Sequence, residues 1–349
     1  MPLHPSRRSL LAAGGVAGLG ALLAACGSGG PSPQSVGSDG NSGSSGSSGG
    51  SAGSWTFTDD RGTRVALPAR PSRVVAYTGT AAALHDFGVT DRIVGVFGPT
   101  RLADGRPDPM AGNLDLAKVT VLGNAWGEFD LEKYAALRPQ LLVTDMWVPK
   151  QLWYVPDASK TTIAALAPTA GITIAKIQLP EPLSRHEQLA GLLGADLTAS
   201  AVVAAKQRFQ QAVETVRQAG KAKRGLRVMA ASASADLLYV SDPGVYPDLS
   251  YYRSLGVELV TPAKVQGGFF EPLSWENADR YAADLILLDS RSSALQPKDL
   301  AAKPTWQQLP AVKAGQVIPW LSEVRFSYAG CAPLIEQLAA ALDRAKRVA

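Results

Sequence analysis

Short strand patterns alternate with helical ones, and the same grammar repeats on either side of one long helical stretch. These two observations predict an α/β fold of two Rossmann-like lobes joined by one long rigid helix, with ligands at the carboxyl ends of parallel strands. In the first half, Arg73–Tyr77 reads as a buried strand and Ala81–Phe87 as a helix that Gly88 stops. Ile93–Phe97 is a second strand. Asp130-Leu131-Glu132 opens a helix with acidic residues in its first turn, where the dipole favours them. That helix ends before Pro139, and Leu141–Thr144 and Ile172–Ile174 follow as strands.

Ser184–Glu187 has the form of a capping box at a helix start. After Gly191 and Gly194, the stretch Asp196–Ala219 is rich in Ala, Val, Gln and Lys, and Gly220 ends it. About 24 helical residues at 1.5 Å each run ~36 Å, enough to cross from one small lobe to the next. The second half repeats the first. Arg227–Ala230 is a strand, and Leu255-Gly256-Val257 echoes Phe87-Gly88-Val89. Ser274-Trp275-Glu276 opens a helix leading to the strand Leu285–Leu288. The spacing between echoed glycines exceeds that between Glu132 and Glu276, so the first half carries extra loop, placed between Gly98 and Val119.

The 349 residues suggest roughly two folded units at about 150 residues each. With 46% hydrophobic and 18% charged residues, neither a disordered nor a collagen-like chain fits. The net charge of +4 falls to about +2 without Arg7 and Arg8, and no basic run supports a nucleic-acid partner. Two cysteines, Cys26 and Cys331, permit neither a disulfide framework nor a thiolate cluster.

Residues 1–25 read as an export signal: a basic start, then the apolar stretch Leu10–Ala25. Ser6–Leu11 resembles the twin-arginine motif, with Leu10 where Phe is usual. Leu23-Ala24-Ala25-Cys26 resembles the bacterial lipobox, which implies acylation of Cys26 and cleavage before it. Two or three acyl chains, at about 0.8 kcal/mol per buried CH₂, hold a protein on a membrane almost permanently. Residues 26–54 then form a Gly/Ser tether spanning roughly 25–30 Å on average. The organisation expected is signal 1–25, tether 26–54, lobe 55–183, connecting helix segment 184–220 and lobe 221–349.

Arg73–Tyr77, Asp130–Val143, Trp275–Leu288, Gly315–Trp320 and the final helix Pro333–Ala345, in this order and with the lipobox and tether, resemble the substrate-binding lipoproteins of ferric-siderophore, haem and cobalamin ABC importers. The similarity covers essentially all of 55–349. Gln140 stands where that family usually has Asp after the proline. The resemblance implies a monomeric, bilobed protein, lipid-anchored to the outer face of the cell membrane, that hands an iron(III)-siderophore complex to an ABC permease dimer. By motif position it implies that Glu132 and Glu276 dock onto the two permease subunits. Haem and cobalamin are alternative ligands, and a non-transport surface sensor is an alternative use of the fold.

A bulky, anionic ferric chelate calls for arginines and π-faces rather than metal ligands. Tyr77, Trp126, Trp147, Arg291 and Arg325 fall just after predicted strands or in the loops that follow. Tyr246 and Trp320 are further candidates, with Trp153 and Tyr154 in the loop after Trp147. No cofactor, direct metal site or catalytic residue is expected. Only His85 and His186 remain beyond the leader, and no nucleophile elbow, phosphate loop or His-Glu-x-x-His motif is present. Cys331 reads as a small buried hydrophobe.

Overall fold

The computed structural model describes residues 54–349. The export signal, Cys26 and all of the tether except Ser54 lie outside the described residues.

The described chain begins with a hairpin absent from the expected elements, β1 (Trp55–Thr58) against β2 (Arg64–Leu67). Trp55 and Phe57 face inward, as the two-residue period of a strand dictates. The Asp59 carboxylate closes the turn, accepting from the N–H groups of Arg61, Thr63 and Gly171.

The first lobe follows: β3 (Val74–Tyr77), α1 (Thr78–Asp86), β4 (Ile93–Phe97), β5 (Thr120–Val121), α2 (Leu131–Ala136), β6 (Leu141–Met146), α3 (Lys160–Leu166) and β7 (Thr169–Thr173). The strands form a parallel sheet in the order β5-β4-β3-β6-β7. β3 and β6 are buried along their whole length, which is why they read as unbroken apolar runs. α1 starts three residues before the expected Ala81. Thr78, Gly79 and Thr80 are weak helix formers, but all are buried and the Thr78 hydroxyl donates to the Phe97 carbonyl at 3.0 Å. α2 is capped as its acidic start predicts, with Asp130 accepting from Lys133 N–H at 2.9 Å. Gln140 has a packing role: its Oε1 accepts from the Ser72 and Arg73 N–H groups and holds the chain entering β3. Gly98–Val119 is the expected extra loop, with a 3₁₀ turn at Pro109–Ala111.

Two helices follow, α4 (Pro180–Leu192) and α5 (Ser200–Ala222). Ser184 does not cap α4 but lies inside it. The helix begins at Pro180, and Pro182 is accommodated in the same first turn, where the missing N–H groups have no helical partner. α4 packs on the first lobe, against α1 and β7, and α5 alone crosses to the second. Its 23 residues span about 34 Å. Gly220 does not end it. It is helical and buried, with no room for a Cβ against the backbone of Gly256. The echoed glycines share a conformation, with φ of 103° at Gly88 and 98° at Gly256, both in the left-handed region that favours glycine.

The second lobe comprises β8 (Arg227–Ala233), β9 (Leu237–Ser241), α6 (Pro247–Ser254), β10 (Glu258–Leu259), β11 (Phe270–Ser274), β12 (Leu285–Asp289), α7 (Pro297–Leu300), α8 (Pro304–Gln308), α9 (Pro310–Lys313), β13 (Val317–Trp320) and α10 (Tyr328–Arg344). Its sheet runs β11-β9-β8-β12-β13, with β10 also on β8. The pairs β8–β12, β12–β13 and β8–β10 are parallel, while β9 and β11 add an antiparallel edge. The helix expected from Ser274 is a single 3₁₀ turn, Trp275–Asn277. Beyond it the Tyr281 hydroxyl donates to Glu271 at 2.5 Å and accepts from Ala263 N–H at 2.6 Å. α10 begins five residues before Pro333, because Ser327 caps it by accepting from Gly330 N–H. It lies along α5, where Phe209 meets Tyr328 edge-on and Arg208 forks onto Glu336. One hydrophobic core runs from Trp55 and β3 through α5 and α10 to β8 and β12.

Candidate functional site

The carboxyl ends of parallel strands from both lobes converge, the usual place for a ligand in sheets of this kind. Tyr77 ends β3, Trp147 follows β6, Arg291 follows β12, and Trp320 ends β13. Backbone bonds knit the two sides nearby, from Lys176 N–H to the Val245 carbonyl at 2.9 Å and from Leu179 N–H to that of Pro247 at 3.0 Å. Ser292 of the second lobe donates to Asp108 of the first at 2.9 Å.

Glu323, in the loop between β13 and α10, stands at the centre. Its Oε2 accepts from the Tyr77 hydroxyl at 2.6 Å and from Trp153 Nε1 at 3.0 Å, both of the first lobe. Its Oε1 accepts from Arg291 Nη1 at 2.5 Å. The other face of that guanidinium lies on Asp289, with Nε and Nη2 donating to Oδ2 at 2.9 and 2.7 Å. Burial opposes the Arg291 charge, but the two carboxylates more than offset it and hold the guanidinium well above its ordinary pKa. Burial first, then the charge of Glu323, pushes the Tyr77 phenol well above its ordinary value.

An aromatic ladder lines this region. Trp126 meets Trp153 at 4.7 Å and Tyr154 at 5.0 Å; Trp147 meets Trp153 at 6.2 Å and Tyr246 at 5.5 Å; Tyr246 meets Trp320 at 5.1 Å. The Arg291–Glu323 pair borders two cavities. The larger, about 550 Å³, lies between the Gly98–Val119 loop, Trp126, Tyr154 and Ser292, with Arg101 and Asp108 on its wall. That is within the range of pockets for drug-sized ligands. The smaller, about 140 Å³, is walled by Trp147, Trp153, Tyr246 and Phe269. A cavity of about 680 Å³ between the Val148–Leu152 loop and α3 shares no lining residue with either.

The structure thus brings Trp126, Trp147, Tyr246 and Arg291 to the cavity walls. Tyr77 and Trp320 stand behind them. Tyr77 is buried, stacked on Tyr154 at 5.3 Å, and Trp320 donates from Nε1 to the buried Asp248 at 2.7 Å. Arg325 lines neither cavity. It folds over Gly112, whose φ of 53° and missing Cβ make room for the guanidinium, and its Nη1 lies 3.4 Å from Asp86. The expectation of two arginines free to take an anion therefore gives way: Arg291 and Arg325 both face carboxylates of the protein itself. Glu323, Asp289 and Phe269 were not among the expected site residues. Glu132 and Glu276 are exposed, Glu132 in the first turn of α2 and Glu276 in the 3₁₀ turn that follows β11. Its own backbone N–H, then Ser274, holds the Glu276 carboxyl below its ordinary pKa. Among the described residues, no three His, Cys, Asp or Glu side chains are grouped to hold a metal ion, and no helix is long and apolar enough to cross a membrane.

The chain is 50% identical to DesE, a ferric-siderophore receptor protein from Streptomyces coelicolor, over 84% of this chain and 100% of that one, with a TM-score of 0.82. The same fold occurs in the siderophore periplasmic binding protein from the fuscachelin gene cluster of Thermobifida fusca, at 23% identity over 79% of this chain and 98% of that one (TM-score 0.57). It also occurs in the petrobactin-binding protein YclQ from Bacillus subtilis, at 16% identity over 83% and 97% (TM-score 0.61). No curated protein sequence matched the chain. The family model for periplasmic binding proteins matches residues 74–324. With two lobes meeting at their strand ends, a family model matching residues 74–324 and 50% identity to DesE over the aligned 84% of its length, this chain belongs to the periplasmic binding protein family.

Proposed function

We propose that this protein is a membrane-anchored extracytoplasmic substrate-binding protein that captures an iron(III)-siderophore complex and delivers it to an ABC permease. The observation that carries the reading is the 50% identity to a ferric-siderophore receptor along the whole of that receptor. The geometry agrees with it. A cavity of about 550 Å³ between the lobes suits a bulky chelate, and Trp126 and Tyr154 offer π-faces to it. Arg291 reaches the cavity already paired with Asp289 and Glu323, while Arg101 on the same wall donates to the Gly105 carbonyl and, among the described residues, has no carboxylate partner. In this reading Trp126, Trp147, Tyr246 and Arg291 contact the ligand, while Tyr77 and Trp320 position the contacting rings. Glu132 and Glu276 meet the permease, one from each lobe. Residues 1–25 are removed, Cys26 carries the lipid, and the Gly/Ser tether lets the folded part reach the permease.

Titration of the intrinsic tryptophan fluorescence tests the reading. The panel is ferric hydroxamate and catecholate chelates, ferric citrate, haem and cobalamin. A ferric siderophore should quench and saturate at the lowest concentration. Saturation by haem or cobalamin alone would overturn the assignment.

A further inference from the structure

The amino end of the second lobe's sheet, on the side of its parallel strands away from the cleft, gathers cations from three stretches of the chain. Lys221 lies in the last turn of α5, Arg224 just beyond it, and Arg227 opens β8. Arg344 ends α10, and Lys346 and Arg347 follow it. All but Arg227 are exposed. No single run in the sequence shows this cluster; the fold assembles it and holds it in place. The Lys223 ammonium donates to the Asp343 and Ala345 carbonyls at 2.6 and 3.0 Å, tying the chain after α5 to the end of α10. Gln316 exchanges two hydrogen bonds with the backbone of Lys346, and Asp284 accepts from the N–H groups of Arg227, Val348 and Ala349. Three side-chain carboxylates stand at the same end. Asp284 is buried and taken up by those bonds, Glu258 accepts from Gly225 N–H, and Asp343 is exposed. Among the described residues, Arg227 alone of the six cations has a carboxylate partner, Asp284 at 3.9 Å.

We infer that this end of the second lobe rests on anionic phospholipid headgroups of the membrane that holds the anchor, leaving the cleft turned outward to the incoming chelate. Unpaired like charges set at fixed positions repel one another, and their field reaches about 8–10 Å into ordinary salt. An exposed cluster spread over three segments complements a broad anionic surface, where each Lys or Arg adds to the attraction. The inference rests on the lipid anchoring in the proposed function. On that reading residues 27–54 join the lipid to the folded part, and a Gly/Ser chain of that length reaches roughly 25–30 Å on average. The headgroups are then always at high effective concentration, so a weak surface contact suffices to set the orientation. Glu276 follows the carboxyl end of β11, at the opposite end of the same sheet. Docking on the permease is therefore a second orientation, reached by leaving the headgroups.

The test uses the unacylated Cys26→Ala protein and phosphatidylcholine vesicles with and without about 30% phosphatidylglycerol. The protein should sediment with the anionic vesicles only, and at least tenfold less as salt rises from about 0.05 to 0.3 M. Adding Lys221→Glu, Arg224→Glu and Lys346→Glu together should weaken that binding at least tenfold. Among the described residues, none of these three side chains makes a hydrogen bond or an ion pair, so the fold loses no contact. Lys150→Glu, Lys176→Glu and Lys264→Glu make the same charge change at exposed lysines after β6, β7 and β10, the cleft ends of those strands. That variant should bind as the parent does. Acetylation of the parent on anionic vesicles, read by mass spectrometry, should be slowed about fivefold or more at Lys221 and Lys346 and unchanged at Lys150, Lys176 and Lys264. Equal weakening by both triple changes would make net charge the cause and overturn the inference, as would equal binding to uncharged vesicles or uniform acetylation. Because no acyl chain takes part, the two readings fail separately. A native protein that stays on membranes while the Cys26→Ala protein ignores anionic vesicles removes the surface alone. A native protein without lipid whose Cys26→Ala form binds those vesicles removes the anchor alone.

Discussion

The Tyr77 hydroxyl donates to Glu323 Oε2 at 2.6 Å, joining residues 246 apart in sequence and the two lobes in space. Tyr77 ends a central strand of one lobe, and Glu323 sits in the loop before the last helix of the other. Tyr77→Phe removes one of the two donors to that oxygen and leaves Trp153 as the other. The expected cost is about 1.5–3 kcal/mol, the range for a hydrogen bond to a charged group, read from urea unfolding at pH 7. Tyr77 also keeps its proton above the ordinary value of 10.0 at which it ionises when unfolded. The unfolded state then binds fewer protons, so stability falls as pH rises past about 10, and this slope should be shallower in Tyr77→Phe by about 1.4 kcal/mol per pH unit.

Asp248 offers a second pH signature. Burial raises its carboxyl from 3.8 to about 6, against the bonds it accepts from Trp320 and Leu249. Between those values the folded protein holds a proton that the unfolded chain has released, so this group's contribution to stability falls as pH rises from about 4 to 6. Asp248→Asn keeps an oxygen for Trp320 Nε1 and removes the ionisation. The variant should be more stable than wild type at pH 7.5 by about 1–3 kcal/mol, with the gap closing at pH 4. A gap that does not change with pH would show that Asp248 is not the titrating group.

Trp126 and Arg325 should separate binding from folding. Trp126 is 55% exposed at the cavity mouth, and its truncation to Ala should weaken a ferric chelate about two- to tenfold with little change in Tm. Arg325→Ala should leave chelate affinity unchanged and cost about 3 kcal/mol of stability, because Asp86 loses a buried counter-charge. Fluorescence titration and thermal unfolding of the same two variants make the comparison.

The docking assignment makes a claim about transport alone. Glu132→Arg or Glu276→Arg should abolish uptake of the radiolabelled iron chelate in cells while leaving its affinity for the purified protein unchanged, since neither residue lines a cavity. A large loss of affinity in either variant would place that glutamate in the binding site.

Anchoring is tested by Cys26→Ala. With the acylated sulfur gone, the protein should move from the membrane pellet to the soluble exported fraction. Continued sedimentation with membranes would exclude lipidation at Cys26.

Local patterns were legible where one segment's physics suffices. β3, β6 and β12 are buried on both faces, so each is an apolar run whatever its neighbours are. Asp130 caps α2 through a bond to a residue three positions away. Misreadings occurred where a distant group decided a local matter. The Ser184–Glu187 pattern is good capping chemistry inside a helix that Pro180 had already begun. The Ser274 helix is a single turn, and the chain just beyond it is tied by Tyr281 to Glu271 and Ala263, partners that no local pattern announces. Arg325 had every attribute of an anion-binding loop residue until Gly112 and Asp86 came to meet it.

From sequence alone came the two α/β lobes, the crossing helix and the echoed glycines, because periodicity, caps and breakers act within a few residues and survive in any order of folding; the family came from the resemblance of the ordered motifs Arg73–Tyr77, Asp130–Val143 and Trp275–Leu288. The tertiary structure alone decided which side chains make the cleft. Glu323 carries no local mark; its partners Tyr77 and Trp153 lie 246 and 170 residues away. Buried among donors from both lobes, it pairs with Arg291, and the two together line both cavities. Charge pairing and desolvation depend on distances of a few ångströms in space, and those distances exist only once the two lobes are packed against one another.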